Sequence, residues 1–169
     1  MTLAIAVAAI WGIAVAGLGA WLTDLTPWYR TLRKPSWQPS DWLFGPAWTT
    51  ILALASISLW LFWTEAPSDG RRAVALTLFV ANGALNLAWS PLFFRLRRPD
   101  LALMEVPFLW LSILAPMLLL GPIGATPSLL LLPYLGWVTF AAFLNWTIVK
   151  LNGPFPARAV TKAPIAPDR

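Results

Sequence analysis

Four long stretches of the sequence contain no Asp, Glu, Lys or Arg, and this constrains the fold more than any other feature. The stretches are residues 2–23, 42–64, 73–94 and 106–149. About 20 apolar residues in a helix cross the hydrocarbon core of a bilayer, so each of the first three stretches accommodates one span. The fourth is about twice as long, and the glycines and prolines at 121–127 divide it into two spans.

We therefore predict an all-α integral membrane protein, folded as a bundle of five transmembrane helices. Only 11% of the residues are charged, against roughly 25% in soluble domains, which leaves too little polar surface to face water all round. The first stretch is longer than the apolar region of a signal peptide and no cation precedes it, so we interpret it as a retained span. The predicted spans are 2–23, 43–64, 73–94, 100–120 and 127–150.

These spans form one predicted domain, residues 1–152, in which residues 24–42 make up the first loop. Residues 153–169 are rich in Pro and Ala, and we expect them to form a disordered tail.

The cations are divided unequally between the two ends of the predicted bundle. Ten lie in the first loop, the third loop and the tail, whereas only Arg71 and Arg72 lie in the second loop. By the positive-inside rule, this places the N-terminus outside and the C-terminus in the cytoplasm. Helical spans favour an inner membrane over an outer one, and we place the chain in a bacterial membrane.

The absence of Cys and His removes several classes of chemistry. Thiolate metal sites, disulfides, thiol nucleophiles and imidazole bases are all excluded, so we expect no metal site and no obligatory cofactor. The net charge of +5 comes from cations clustered at the span ends, so nucleic acid is not an expected partner.

Two amides mark one face of the third span. At about 100° per residue, one narrow stripe carries Asn82, Asn86, Trp89 and Phe93. Because an unpaired amide in a bilayer is costly, these amides either hydrogen-bond to another helix or meet a polar atom of a ligand. A second stripe carries small residues, which predicts close helix packing within the protomer or across a dimer. These small residues are Ala81, Ala84 and Ala88.

The fifth span also combines aromatic and small side chains on one face. Tyr134, Trp137, Ala141 and Asn145 share this face, and Pro133 precedes it with a kink of the kind that often lines cavities. Trp48 and Trp137 lie too far inside their spans to belong to an interfacial aromatic belt. Their flat π-surfaces suit core packing and equally suit a flat aromatic ligand.

Glu105 lies near the cytoplasmic end of the fourth span. A carboxylate inside a membrane indicates either a function or a charge partner. Because Arg97 and Arg98 are close in sequence, we expect a local ion pair.

The first loop is unusually long and holds four aromatic residues among prolines and cations. One interpretation is an interfacial belt whose cations face lipid headgroups. The other is a folded lid over the cytoplasmic mouth of the bundle.

Three strings of the sequence, in this order and spacing, resemble the TspO/MBR family. They are WYRTLRKPSWQPSDWLFGPAW, NGALNLAWSPLFF and PYLGWVTFAAFLN. The resemblance implies a five-helix bundle, commonly a homodimer, with a ligand pocket inside the bundle and the first loop as its cap. It also implies porphyrin ligands such as protoporphyrin IX, and sterols or synthetic ligands of the benzodiazepine and isoquinoline types.

The candidate ligand-binding residues combine the family motifs with the helix faces described above. They are Tyr29, Trp37, Trp48, Asn82, Asn86, Trp89, Tyr134, Trp137 and Ala141. Two departures from the family pattern stand out. Ser40 replaces the second proline of the loop motif, and Trp146 stands where the family's sterol motif has a tyrosine, which puts cholesterol binding in doubt.

Three functions remain open at this point. The first is a membrane receptor or carrier that binds a porphyrin, with Arg30, Arg33 or Lys34 meeting its carboxylates. The second is a light-dependent porphyrin-degrading enzyme in which Trp48 and Trp137 donate electrons, since no acid–base constellation is present. The third is a regulatory scaffold that acts through a protein partner.

Overall fold

The computed structural model describes residues 2–155, and within them five helices are long and apolar enough to cross a membrane. No strand occurs in this part of the chain, so the predicted fold class is confirmed. The spanning helices are α1 (Thr2–Leu22), α3 (Phe44–Glu65), α4 (Asp69–Ser90), α5 (Pro99–Leu119) and α7 (Leu132–Asn152). Two short helices, α2 (Pro27–Thr31) and α6 (Ala125–Leu129), lie in the connections.

Local sequence signals explain where several helices begin. The Ser68 hydroxyl accepts a hydrogen bond from the Arg71 N–H and caps α4. Pro99 occupies the first position of α5, where a backbone N–H would have no acceptor within the helix, so the N–H that proline lacks is not needed. The short helix α6 and a break at residues 130–131 precede α7, whereas the sequence predicts one continuous span from residue 127.

The end of α4 widens into one turn of π-helix at Pro91–Arg95. Pro91 has no N–H to donate to the preceding turn, and the Leu96 N–H bonds instead to the Pro91 carbonyl at 2.9 Å. As a result, two consecutive aromatic side chains, Phe93 and Phe94, are both buried in the bundle.

The five spanning helices pack around a common centre. Helix α1 lies against α3 and α4, α4 against α5, and α5 against α7, while α3 also contacts α4 and α7. Glycine allows the closest approach of α4 to α1, because a Cβ on Gly83 would lie 2.9 Å from Trp11 Nε1 and 3.0 Å from Val15 Cγ2. The Trp11 indole donates to the Phe79 carbonyl at 2.7 Å and fixes this contact.

The alanine face predicted on α4 lies largely on the outside of the protomer. Ala81 and Ala84 are exposed and Ala88 is half-buried, whereas Gly83 makes the close packing contact. The part of that prediction that concerned packing within the protomer therefore does not hold for Ala81 and Ala84. The proposal of a face between protomers stays a prediction.

Hydrogen bonds between loops show which connections share an end of the bundle. The Arg33 backbone exchanges two hydrogen bonds of 2.8 Å with the side chain of Asn152, at the end of α7. The Arg95 guanidinium lies over the Trp21 ring, 4.5 Å from its centroid, so the third loop joins the same end. The predicted disordered tail falls largely on residues 156–169, which lie outside the described residues.

The expected ion pair of Glu105 does not form within residues 2–155. Arg98 instead makes two hydrogen bonds, of 2.6 and 2.7 Å, to the Asp100 carboxylate. Asp100 lies at the start of α5 beside Arg98, whereas Glu105 is more than one helical turn deeper in the membrane. Both Glu105 carboxyl oxygens are buried without a hydrogen-bond partner in the described chain.

Candidate functional site: a cavity in the centre of the bundle

A cavity of about 490 Å³ lies in the half of the bundle nearest the first loop. All five spanning helices and the loop contribute to its wall, and its size is within the range of small-molecule sites. Most of the lining is apolar or aromatic. Six of the residues predicted from the sequence line it: Tyr29, Trp48, Asn86, Trp89, Trp137 and Ala141.

Two perpendicular tryptophans form one corner of the cavity. The rings of Trp48 and Trp137 are 6.4 Å apart between centroids and inclined by 81°. Phe44 meets Trp137 edge to face at 5.6 Å and extends the aromatic wall toward the loop. These rings present both a flat face and an edge to anything in the cavity, which suits a planar apolar molecule.

The Trp137 indole N–H is buried and has no hydrogen-bond partner in the described part of the chain. A buried donor left unpaired costs roughly 1–3 kcal/mol. Trp137 contributes the surface of its ring to the cavity wall, while its N–H lies behind that surface.

Asn86 is held in place by a residue behind the cavity wall. Its side-chain amide donates to the Tyr134 hydroxyl at 2.8 Å. Tyr134 is 1% exposed and does not line the cavity, so it is a positioning residue. Its ring also meets Trp48 edge to face at 5.9 Å, which links the amide and the tryptophan corner.

The two amides of α4 have different surroundings. Asn82 is buried outside the cavity and donates to the Ser112 hydroxyl of α5 at 2.8 Å. Of the two roles predicted for these amides, Asn82 therefore has the hydrogen bond to another helix and not the contact with a ligand. Asn86, one turn closer to the loop, is the amide that faces the cavity.

The first loop is folded over the cavity around Tyr29. The Tyr29 hydroxyl donates to Asp41 Oδ1 at 3.1 Å and accepts from Gln38 Nε2 at 3.2 Å. Its ring packs edge to face against Phe94 at 5.5 Å. Burial, and next the negative charge of Asp41, raise the pKa of Tyr29 to about 12, so the hydroxyl stays protonated over the physiological range.

The remaining predicted loop residues lie outside the cavity. Trp37 is 43% exposed and stacks on Phe143 of α7 at 5.2 Å. Arg30 and Arg33 are exposed on the loop surface. Lys34 lies over the outer side of the Tyr29 ring, with its Nζ atom 3.5 Å from the ring centroid.

Several lining residues were not among the candidate ligand-binding residues. Phe44, Phe93 and Phe94 carry the aromatic wall toward the loop; the sequence placed Phe93 on the stripe of Asn86, and Pro91, which widens the helix, was the signal for Phe94. Asn145, which the sequence placed on the face of Trp137, also lines the cavity. In the amide orientation that satisfies both its groups, it donates to the Pro99 carbonyl and accepts from the Leu103 N–H, both at 3.1 Å, and so joins α7 to α5.

The comparisons with known proteins cover nearly all of the residues that form the five-helix bundle. Residues 4–151 match the model of the TspO/MBR family. The chain is 36% identical to "Tryptophan-rich protein TspO" of Chlorobaculum tepidum, over 90% of this chain and 96% of that protein. It is 35% identical to "Protein CrtK" of Rhodobacter capsulatus, over 85% of this chain and 91% of that protein. It is 33% identical to the human "Translocator protein", over 74% of this chain and 75% of that protein.

Proposed function

Because this chain belongs to the TspO/MBR family, we propose that it is a membrane receptor or carrier for porphyrins of the protoporphyrin IX type. The observation that carries this proposal is the central cavity with its tryptophan corner. A cavity of about 490 Å³ between Trp48 and Trp137 suits a flat, largely apolar ring. Other flat hydrophobic molecules, including sterols and ligands of the benzodiazepine or isoquinoline type, are candidates on the same grounds.

The polar groups of the wall support a defined orientation of the ligand. Asn86 supplies an amide to the cavity wall, which suits a polar atom on the ring system. The carboxylates of a porphyrin would extend toward the loop, where Lys34 covers Tyr29 and the exposed Arg30 and Arg33 lie beyond.

Titration of the purified protein with protoporphyrin IX in the dark tests the proposal, with tryptophan fluorescence as the signal. We expect saturable quenching by the wild type and weaker binding by Trp137→Phe and Asn86→Ala. Trp146→Phe is the matched control, because Trp146 is exposed on the outside of α7 and does not line the cavity. Quenching that does not saturate, or that none of the cavity variants weakens, would refute the binding site.

A second candidate function rests on the same tryptophan pair. A photoexcited porphyrin accepts an electron from a nearby indole, and the Trp48–Trp137 pair, 6.4 Å apart, lies in the cavity wall. We propose light-dependent oxidative degradation of the porphyrin, with dioxygen as the oxidant, as an activity of the loaded protein. The electron passes from the indole, which is oxidised, to the porphyrin and on to dioxygen, and the superoxide so formed attacks the ring. Illumination of the complex should bleach the porphyrin absorbance in the wild type, and Trp48→Phe should slow the bleaching per bound porphyrin. Equal bleaching by the variant would remove this candidate.

The orientation and assembly of the protein complete the proposal. We place the N-terminus outside and the first loop in the cytoplasm of a bacterial cell, on the basis of the cations at that end. We also propose a homodimer, with the exposed Ala81 and Ala84 on α4 as its contact face. A scaffold that acts through a protein partner would instead keep that partner after the cavity variants lose ligand binding.

A further inference from the structure

The wall of the cavity contains a seam between α1 and α3 that closes at one end and opens at the other. By helical spacing, one stripe of residues at intervals of four, three and four runs along each helix. The helices are antiparallel, so the stripes run in opposite directions between the far end of the bundle and the loop end, where Gly19 and Thr23 also contact Leu87 and Ser90 of α4. The stripes are Gly12, Ala16, Gly19 and Thr23 on α1, and Ser56, Leu52, Thr49 and Gly45 on α3.

The seam is tightly closed at the Gly12–Ser56 end. A Cβ added to Gly12 would collide with the Ser56 hydroxyl, so the two helices are in direct contact there. That hydroxyl is fixed by its own hydrogen bond of 2.8 Å to the Leu52 carbonyl. One helical turn nearer the loop, Ala16 and Leu52 already line the cavity.

Beyond that turn the seam is open, and we call this part the α1–α3 gap, bounded by Ala16, Ala20 and Thr23 on α1 and by Gly45 and Thr49 on α3. All five residues both line the cavity and are exposed. A Cβ on Gly45 would meet no atom within 4 Å. The small side chains on both sides therefore leave a passage from the cavity to the outside of the bundle.

The gap lies at the depth of the bilayer. Ala16 is six residues before the end of α1 at Leu22, which places it roughly 9 Å inside the helix end at 1.5 Å per residue. Thr49 is five residues after Phe44, where α3 begins, and thus lies at a similar depth. An opening at this height faces acyl chains rather than water.

The folded loop covers the water side of the cavity around Tyr29, although two exposed loop residues, Leu25 and Asp41, also line the cavity. Tyr29 is 7% exposed and is held by hydrogen bonds to Asp41 and Gln38. The two hydrogen bonds between Asn152 and the Arg33 backbone fasten the loop to α7.

We propose that the cavity exchanges its ligand with the surrounding bilayer through the α1–α3 gap, beneath a loop that stays closed. The ligands are then molecules already dissolved in the membrane, and their concentration in the lipid governs occupancy of the site. This inference rests on the proposed binding function for the role of the cavity, and it adds the phase from which the ligand comes.

Stopped-flow mixing of protoporphyrin IX with the protein in lipid nanodiscs tests the route. Ala20→Phe and Thr49→Phe narrow the gap, and we expect each to slow association at least tenfold and to slow dissociation as well. Slower dissociation distinguishes a blocked passage from a damaged site, because damage to the site would speed ligand release. Variants that associate at the wild-type rate, or that only dissociate faster, would overturn the proposal.

Two control variants distinguish passage through the gap from a general effect of added bulk and from entry under the loop. Gly17→Phe adds the same ring to α1 at an exposed position outside the cavity wall, where a Cβ meets no atom within 4 Å, and should keep the wild-type rates. Asn152→Ala unfastens the loop and should also keep them. Faster association after Asn152→Ala, with wild-type rates in the gap variants, would place the entrance under the loop.

A ligand-free measurement keeps the proposal testable if protoporphyrin IX does not bind. The chain contains no Cys, so Thr49→Cys carries a single nitroxide label in nanodiscs. We expect oxygen, which partitions into lipid, to collide with this label as often as with one at the lipid-facing Val80 position. A label that oxygen reaches poorly and a water-soluble nickel chelate reaches well would overturn the lateral route, whereas absent porphyrin binding alone would count only against the proposed function.

Discussion

Two asparagines in neighbouring turns of α4 have different roles in the structure. Asn82 and Asn86 share one stripe in the sequence, yet Asn82 bonds to Ser112 between helices and Asn86 faces the cavity. The sequence predicted the stripe from helical periodicity alone. It did not predict which amide meets the cavity, because that depends on where α5 supplies a hydroxyl.

Removal of the Tyr134 hydroxyl tests whether the orientation of Asn86 matters for binding. Tyr134→Phe keeps the ring against Trp48 and deletes the partner of the Asn86 amide. We expect protoporphyrin IX to bind roughly fivefold more weakly, which corresponds to about 1 kcal/mol for one hydrogen bond. Fluorescence titration measures this, and an unchanged dissociation constant would show that the amide orients itself without Tyr134.

Glycine at position 83 makes a clear prediction about stability. A Cβ there would press on Trp11 and Val15 of α1, at 2.9 and 3.0 Å, so α1 and α4 must move apart. We expect Gly83→Ala to lower the free energy of unfolding by about 1–3 kcal/mol. Thermal unfolding in detergent measures the change, with Gly136→Ala as the control in open space on α7. Equal melting temperatures for the two variants would contradict the close packing.

At the scale of elements, the spans followed from the sequence and their irregular ends did not. Long stretches without charge predict spanning helices because a bilayer tolerates little else. Pro91 is a local signal for the irregular end of α4, but the packing of Phe93 and Phe94 against Tyr29 depends on the loop, which no local pattern specifies. The fold of the loop likewise depends on contacts with α7 that are more than 100 residues away in sequence.

The burial of Tyr29 in the folded loop predicts that the free energy of unfolding decreases at high pH. The pKa of Tyr29 rises from about 10 in the unfolded chain to about 12 in the fold, mainly through burial. The folded protein therefore holds this proton more tightly, and the contribution is complete below pH 10 and declines as pH rises toward 12. Thermal unfolding at pH 8 and pH 11 should show a smaller loss for Tyr29→Phe than for the wild type. A loss of equal size in both proteins would assign the pH effect to other groups.

The two ends of the bundle differ in charge, and this asymmetry predicts the orientation of the protein in the membrane. Within the described chain, Arg71 and Arg72 are the only basic residues at the α6 end, while seven others surround the first loop and the end of α7. Hydrogen bonds from Arg33 to Asn152, and from Arg71 to the Leu119 carbonyl at 3.2 Å, show that the loops group in this way. The charge rule therefore applies to two distinct ends of the bundle, and it predicts that the loop over the cavity is the cytoplasmic one.

Labelling of single cysteines tests this orientation, since the chain has no cysteine of its own. Ser36 in the first loop and Ala125 in α6 are both exposed, and they lie at opposite ends of the bundle. A membrane-impermeant maleimide should label Ala125→Cys in intact spheroplasts and label Ser36→Cys only after permeabilisation. The reverse pattern would put the basic end and the cavity on the outer side, and ligand would then be drawn from the outer leaflet. The expected pattern would place the cavity and its lateral gap in the cytoplasmic leaflet, and the proposed ligand would then be drawn from that leaflet.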